Sequence, residues 1–126
     1  RPSDPILPGW EEFDEAKFTD RLNAGEPMLM EIYASWCPTC LAQHKAFETM
    51  VEEGRQPNIR AIRLDFDRDA SYRETLGINY TGVLVLFENG KMSASQGGLV
   101  TPDKIEGFLK RYGYAANGTT SPAASR

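Results

Sequence analysis

The chain has 126 residues and a formal net charge of −4 at pH 7, with 40% hydrophobic and 25% charged residues. These proportions are ordinary for one soluble globular domain that is long enough to bury its own core. The negative charge and the absence of a basic cluster argue against a nucleic-acid partner. The longest wholly apolar run, residues 83–87, is much too short to cross a membrane.

The spacing of apolar residues, with glycine and proline at the element ends, predicts alternating helices and strands. Residues 1–12 hold three prolines and are expected to be an extended lead-in. Asn89 and Gly90 form a strong hairpin signal, and Thr101 followed by Pro102 is typical of a helix start. The predicted elements are, in chain order, a helix within 13–27, a strand in 28–34, a helix from Pro38 to about Glu53, a strand in 58–66, a short helix in 68–77, a hairpin in 83–95 and a helix in 101–113.

These elements predict one α/β domain over residues 13–113. Strands separated by helices pair in parallel, and the hairpin adds an antiparallel edge, so we expect a central mixed β-sheet flanked by helices on both faces. Residues 114–126 are small and polar and are expected to be a disordered tail. Asn117 in this tail begins a glycosylation pattern that has meaning only in a eukaryotic secretory protein. The chain starts without methionine, which indicates processing or trimming, and a removed signal peptide or membrane anchor stays open.

Both cysteines of the chain, Cys37 and Cys40, lie three positions apart at the predicted strand-to-helix junction. This spacing puts them on one helix face, at a separation that a disulfide tolerates. A structural disulfide is disfavoured, because the loop that it closes is too small to add much stability. A zinc site needs four ligands, and the chain offers two cysteines and His44, so a metal would need carboxylates or a second chain.

A reactive pair fits the position best. A helix N-terminus carries partial positive charge and free N–H groups, both of which favour a thiolate. Cys37 comes first and is expected to be the exposed attacking cysteine, and Cys40 the buried resolving one. Pro38 suits the first helical position because it has no N–H to leave unpaired. Trp36 is expected to cover one side of the site.

The sequence resembles the thioredoxin family from about Phe13 to Tyr112. Residues 30–40 are similar to the family's strand that leads into its Trp-Cys-x-x-Cys motif, and residues 59–67 resemble its next core strand. Residues 76–109 match the C-terminal half of the family without a gap. The resemblance implies a central mixed sheet flanked by helices, and dithiol–disulfide exchange with protein substrates.

The resemblance also assigns roles to individual positions. Glu31 stands where thioredoxins place a buried Asp beneath the resolving cysteine, and Arg63 stands where many have a Lys near that acid. The remaining matches are Cys37 as nucleophile, Cys40 as resolving cysteine, and a substrate groove lined by Trp36, Pro38, Thr39, Thr81, Gly82 and Gly98.

Three positions depart from the family pattern. Pro38-Thr39 replaces Gly-Pro between the cysteines. Lys45 stands where the family often has a proline that kinks the helix, so this helix is expected to be straighter. Gly82 replaces the cis-proline that faces the cysteines. A cis bond without proline costs about 2.5–4 kcal/mol, so the Thr81–Gly82 bond is expected to be trans. The loop is then expected to be more flexible and the pair more open to a metal. The regularity of the remaining match favours an engineered over a natural glycine.

Glu31 lies within an apolar run, where an ionisable side chain is unusual. It is interpreted as a general base for Cys40, with a pKa raised by burial, and alternatively as a carboxylate at an exposed strand end paired with Arg63. His44 is expected to be a partly exposed helix residue. Asp65 and Asp67 are expected to be solvated or to cap the next helix.

The sequence therefore predicts a protein-disulfide reductase or electron relay that needs an external electron donor. It contains no nucleotide-binding motif, so no cofactor is expected, and a monomer is expected. The lead-in and the few cysteines favour a bacterial periplasmic or extracytoplasmic protein over a cytosolic one. Two alternatives stay open: a metal or iron–sulfur module in which two chains share Cys37 and Cys40, and a non-catalytic domain that binds a partner in its groove.

Overall fold

The computed structural model describes residues 6–116. The predictions for residues 1–5 and 117–126, including the glycosylation pattern at Asn117, lie outside the described residues. The described part contains five strands and four helices, and none of the helices is long and apolar enough to cross a bilayer. Their bounds are β1 Trp10–Glu12, α1 Glu15–Asn23, β2 Met28–Tyr33, α2 Pro38–Glu52, β3 Arg60–Asp65, α3 Ala70–Thr75, β4 Val83–Glu88, β5 Lys91–Gly97 and α4 Pro102–Tyr112.

The strands form one mixed sheet in the order β1-β3-β2-β4-β5. Strands β1, β3 and β2 are parallel, β4 is antiparallel to β2, and β5 is antiparallel to β4 across the predicted hairpin. Every residue of the central strand β2 is buried, because helices cover it on both sides. The predicted fold class is therefore confirmed.

The core is divided by the sheet into two layers. One layer packs α2 and α4 against the sheet through residues such as Phe47, Met50 and Phe108. The other layer contains Phe18 of α1, with Tyr72 of α3 packed against its edge. Helices therefore lie on both faces of the sheet, and α2, which carries the cysteines, lies on the same face as α4.

Local sequence explains where the helices next to the site begin. Helix α4 starts after Thr101, whose hydroxyl accepts a hydrogen bond from the Lys104 N–H at 3.3 Å, and it ends at Gly113 with a φ of 88°. Helix α2 runs unbroken from Pro38 to Glu52, and Lys45 lies on its exposed face. Its cap is Cys37 itself, so helix geometry fixes the position of the sulfur.

Two features at the ends of the domain differ from the sequence-based prediction. Strand β1 lies inside the predicted lead-in and pairs with β3; with three residues it is too short to show the alternation that marks a strand. Residues 114–116 do not form a free tail. The Tyr114 N–H donates to the Leu109 carbonyl at 2.8 Å, its own carbonyl accepts from the Asn58 N–H at 2.8 Å, and Ala115 is fully buried.

Candidate active site

The two cysteines lie where β2 passes into α2. Cys37 is the N-cap of α2, with extended backbone angles, and its sulfur accepts a hydrogen bond from the Cys40 N–H at 3.1 Å. A helix N-terminus has N–H groups without partners in the helix, and the Cys37 sulfur takes the place of the usual capping oxygen. Pro38 occupies the first helical position, as predicted. The start of the helix therefore holds the Cys37 sulfur in a field that favours its thiolate.

Both cysteines are free thiols, and they differ in accessibility. Cys37 is 5% exposed and Cys40 is fully buried, with its sulfur 3.5 Å from the Ile32 carbonyl. The predicted order, with Cys37 outside and Cys40 inside, is the observed one. Cys37 is nevertheless more covered than expected, because residues of the loop that precedes β4, which contains Thr81 and Gly82, pack against its sulfur.

Thr81 is the main contact of Cys37 from that loop. The Thr81 hydroxyl donates a hydrogen bond to the Cys37 sulfur at 3.2 Å. Burial opposes ionisation of Cys37, but hydrogen bonds from the Cys40 thiol, from Thr81 and from the N–H groups of Cys40 and Thr39 outweigh it and lower the Cys37 pKa below its ordinary value. The environment of Cys37 therefore favours its thiolate form.

The pKa of Cys40 is shifted in the opposite direction. Burial, together with its hydrogen bond to Cys37, raises the pKa of Cys40 to about 12. It is therefore protonated at neutral pH and becomes a nucleophile only when a base takes its proton. One environment favours the thiolate and the other the thiol, so the two cysteines are chemically distinct.

Gly82 lies directly opposite the cysteines. No peptide bond within residues 6–116 is cis, so the Thr81–Gly82 bond is trans, as expected. Gly82 has a φ of 71°, donates its N–H to the Ile32 carbonyl at 3.0 Å, and accepts from the Gly98 N–H at 3.2 Å. A Cβ at this position would lie 2.8 Å from Thr39 Cγ2. Both the backbone angle and the available space therefore require glycine here.

Glu31 is buried in the middle of β2, with 1% of its surface exposed. Side chains alternate along a strand, so Glu31 faces the same layer as Leu29, which packs against α2, and Tyr33, which packs against both cysteines. Glu31 therefore lies beneath α2, between these two contacts. The alternative interpretation, a carboxylate at an exposed strand end, is wrong.

Arg63 is aligned with Glu31 in the sheet, as the resemblance implied. The parallel register pairs Arg63 of β3 with Glu31 of β2 on one side and with Glu12 of β1 on the other. The buried Arg63 guanidinium forms an ion pair with Glu12 and lies over the Tyr33 ring, 4.8 Å from its centroid. The register thus places Glu12, Arg63 and Glu31 side by side across three neighbouring strands. The sequence interpretation missed Glu12, because it did not include β1 in the sheet.

Trp36, which directly precedes Cys37, is held at the surface by two residues that follow β3. Its side chain is 60% exposed, its indole N–H donates to Asp67 Oδ2 at 2.6 Å, and its ring meets the edge of Phe66. Asp67 is exposed, in agreement with the expectation that it is solvated, and it also accepts the hydrogen bond that orients Trp36. Asp65 accepts hydrogen bonds from the N–H groups of Asp67 and Arg68, and so shapes this loop.

The other predicted groove residues also lie around Cys37. Pro38, Thr39 and Gly98 are exposed, and Thr81 is half-buried. Sequence interpretation missed two exposed apolar side chains next to the site. Leu41 directly follows Cys40, and Tyr80 directly precedes Thr81. The sequence signal for such a side chain would have been an apolar residue in a predicted loop or on the exposed face of a predicted helix.

His44 differs from its expected position. It was expected to be partly exposed, but it is buried, and its ring lies 5.7 Å from that of Tyr33, between α2 and the sheet. Its Nε2 lies 3.9 Å from a carboxylate oxygen of Glu48, one helical turn onward. Within residues 6–116, no three His, Cys, Asp or Glu side chains are grouped so that they could hold a metal ion.

Comparisons with known proteins agree with this geometry. The chain is 34% identical over 79 residues to the thiol:disulfide interchange protein DsbE of Haemophilus influenzae, an alignment that covers 59% of this chain and 41% of that protein. It is 25% identical over 96 residues to a thioredoxin of Acidithiobacillus ferridurans, covering 76% of this chain and 88% of that protein. The chain spans less than half the length of the DsbE proteins that it matches.

Solved structures have the same fold. Trxlp from Edwardsiella tarda is 26% identical with a TM-score of 0.66, over 79% of this chain and 96% of that one. A mutant thioredoxin from Halobacterium salinarum is 22% identical with a TM-score of 0.66, over 82% of this chain and 88% of that one. The family model described as Thioredoxin matches residues 10–111. The resemblance inferred from sequence is thereby confirmed, and the chain belongs to the thioredoxin family.

Proposed function

We propose that this protein is a thiol–disulfide oxidoreductase that reduces disulfides in other proteins through Cys37 and Cys40. The observation that carries the proposal is the structural contrast between the cysteines: the Cys37 sulfur accepts hydrogen bonds from the Cys40 N–H and from Thr81, whereas Cys40 is fully buried. The pKa of Cys37 is lowered and that of Cys40 is raised to about 12, as expected for an attacking thiolate and a resolving thiol held in reserve. Membership of the thioredoxin family supports the same class of chemistry.

The first step is attack by the Cys37 thiolate on one sulfur of a substrate disulfide. A bond forms between Cys37 and that sulfur, the substrate disulfide breaks, and the other substrate sulfur leaves as a thiolate that takes a proton from solvent. Thr81 and the helix N-terminus stabilise the attacking thiolate before the step. The exposed Trp36 and Tyr80 provide apolar surface for the substrate chain around the reacting sulfur.

The second step releases the substrate. Cys40 transfers its proton to Glu31, and the resulting thiolate attacks the Cys37 sulfur. A Cys37–Cys40 disulfide forms, the mixed disulfide breaks, and the second substrate sulfur leaves as a thiolate that takes a proton from solvent, to which Glu31 returns the proton from Cys40. The substrate has gained two electrons and two protons; the cysteine pair has lost the two electrons and the proton of Cys40, and solvent has supplied the other proton. Arg63 of the neighbouring strand β3 is aligned with Glu31 in the register of the sheet.

The oxidised pair must then be reduced by an external dithiol donor through the reverse sequence of steps. Thr39 contributes only a hydroxyl and an N–H between the cysteines, so the thiolate is stabilised less than it would be by a histidine, which favours a reductase or relay. We place the protein outside the cytoplasm of a bacterium, acting as a monomer on protein substrates. The similarity to proteins named thiol:disulfide interchange protein DsbE supports this placement.

Trapping with single-cysteine variants tests the proposal. Reduced Cys40→Ser is expected to form a stable mixed disulfide with a reporter protein such as insulin, because step two is blocked. Cys37→Ser is expected to form none, because the remaining thiol is fully buried, and burial is the largest cause that raises its pKa. Wild type with a dithiol donor is expected to turn over. Trapping through Cys40 instead of Cys37, or no reaction with either, would contradict the proposed function.

A further inference from the structure

A cleft of about 470 Å³ lies beside the active site, between the end of β5 and one face of α4. Three glycines line it: Gly97 and Gly98 on the strand side and Gly107 on the helix. A Cβ at Gly98 or Gly107 would meet no atom within 4 Å, so this part of the cleft is open space. Because the lining glycines have no side chains, a side chain from another molecule can come close to their backbone N–H and carbonyl groups.

Two cations face this cleft. Lys104 and Arg111 both line it and are both exposed. They are seven residues apart on α4, which puts them on one helix face about 10 Å apart along the axis. Within residues 6–116 neither side chain forms an ion pair, and no carboxylate lines the cleft. The cleft is thus a positively charged region on a chain whose net charge is −4.

The acids of α4 do not neutralise this region. Asp103 and Glu106 both accept hydrogen bonds from the Arg55 guanidinium, at 2.9 and 3.2 Å. Arg55 also binds Glu53 at 2.7 Å, so this cation is surrounded by carboxylates. The charges of α4 are therefore divided between a side where acids are paired with Arg55 and a side where cations face the empty cleft.

The cleft is continuous with the active site through Gly98. The Gly98 N–H is bonded to Gly82, where an added Cβ would lie 3.9 Å from the Cys37 sulfur. The next residue, Leu99, accepts a hydrogen bond at 3.1 Å from the Gln43 amide of α2. An extended chain advances about 3.3 Å per residue, so a substrate chain bound at Cys37 reaches the cleft within a few residues.

We propose that this cleft receives an acidic side chain of the protein substrate, a few residues from the substrate cysteine that bonds to Cys37. This inference rests on the proposed function. Exposed cations in an open cleft hold a lone small anion weakly, because water and salt screen the attraction. A carboxylate on a chain already held at Cys37 is present at high effective concentration, so the same weak attraction becomes sufficient. The cleft thus selects substrates by the charge beside their cysteine.

The test compares two disulfide-containing peptides that differ only in having Glu or Gln two to four residues from the reactive cysteine. The rate constant for oxidation of the reduced full chain is measured by stopped-flow fluorescence. Wild type is expected to react with the Glu peptide about three- to tenfold faster at low ionic strength, and less so at high salt. The Lys104→Gln/Arg111→Gln variant is expected to lose this difference.

Two further variants make the result specific. Lys110→Gln removes a cation of the same helix that does not line the cleft, and it is expected to keep the preference for the Glu peptide. Lys104→Glu/Arg111→Glu is expected to prefer a Lys peptide, a gain that misfolding could not produce. Equal rates of wild type on the Glu and Gln peptides, or a preference that survives in the double Gln variant, would overturn the inference. No reaction with any peptide would overturn the proposed function itself.

Discussion

Replacing Thr81 with Val tests how the site activates Cys37. Thr81→Val keeps the shape of the side chain and removes the hydroxyl that donates to the Cys37 sulfur at 3.2 Å. Hydrogen bonds to charged groups contribute about 1.5–3 kcal/mol, and the half-buried position and weak sulfur acceptor favour the lower end. A loss of about 1.4 kcal/mol corresponds to a rise of about one unit in the Cys37 pKa.

The direction follows from the charge state that the bond favours. The hydroxyl stabilises the thiolate, so its removal raises the pKa and lowers the fraction of thiolate at a given pH. The reduced form, which holds the thiolate, loses the same stabilisation. The reduction potential is therefore expected to become more negative, by up to about 30 mV for about 1.4 kcal/mol.

The assay is the rate of iodoacetamide alkylation of Cys37 from pH 4 to 10. A Cys40→Ser background isolates one thiol, and all the variants to be compared carry it. Thr81→Ser, which retains the hydroxyl, is the matched control and is expected to titrate close to the parent. The reasoning would be refuted if Thr81→Val titrated together with Thr81→Ser, because the hydroxyl would then have no effect on the thiolate.

Three further predictions concern other residues of the site. Glu31→Gln is expected to slow release of the substrate from its mixed disulfide by at least about tenfold at pH 7, while the alkylation rate of Cys37 stays near the wild-type value; an unchanged release rate would remove Glu31 from the mechanism. Gly82→Ala is expected to destabilise the fold by about 1–3 kcal/mol in urea unfolding, because Gly82 has a φ of 71° and the added Cβ would lie 2.8 Å from Thr39. Adding Thr39→Ser, which removes the contacting methyl group, is expected to recover part of that loss. Cys40 has a pKa of about 12 in the folded chain against an ordinary 9.0, so its contribution to stability is complete below pH 9 and is lost as the pH rises towards 12; reduced wild type should therefore lose more stability over this range than Cys40→Ala, and parallel curves would contradict the assignment.

Much of the fold could be predicted because its elements carry strong local signals. The continuous apolar run of β2, the Asn89-Gly90 hairpin and the Thr101-Pro102 helix start are each readable within a few residues. Strand β1 has only three residues, and it is recognisable only through its pairing with β3. Residues 114–116 look like a tail by composition, yet Tyr114 is held by hydrogen bonds to Leu109 and Asn58, and Ala115 is buried.

The candidate site also contains features that the sequence predicts and contacts that it does not predict. The spacing of the cysteines predicts a shared helix face, and the burial of Glu31 follows from the apolar run around it. The ion pair between Arg63 and Glu12 joins residues 51 positions apart, and the bond from Trp36 to Asp67 spans 31 positions. Such contacts depend on which strands are neighbours, so one sequence read locally does not reveal them.

Glycine positions show a further limit of local reading. The sequence marks Gly82 as a departure from the family, and it predicts the trans bond from the cost of the alternative. It does not predict the hydrogen bonds that tie Gly82 to Ile32 and Gly98, or the contact that excludes a side chain beside Thr39. These contacts come from three separate segments, and together they determine the shape of the groove opposite Cys37.

The reduction potential of the Cys37–Cys40 pair tests the central claim most directly. It is measured by equilibrating the full chain in glutathione or dithiol buffers and following the fraction of disulfide formed. A protein-disulfide reductase of this kind is expected to lie near the potential of thioredoxin, about −270 mV. A value near that of strong oxidants, about −120 mV, would show that the pair gives disulfides to its partners and would contradict the proposed direction of electron flow.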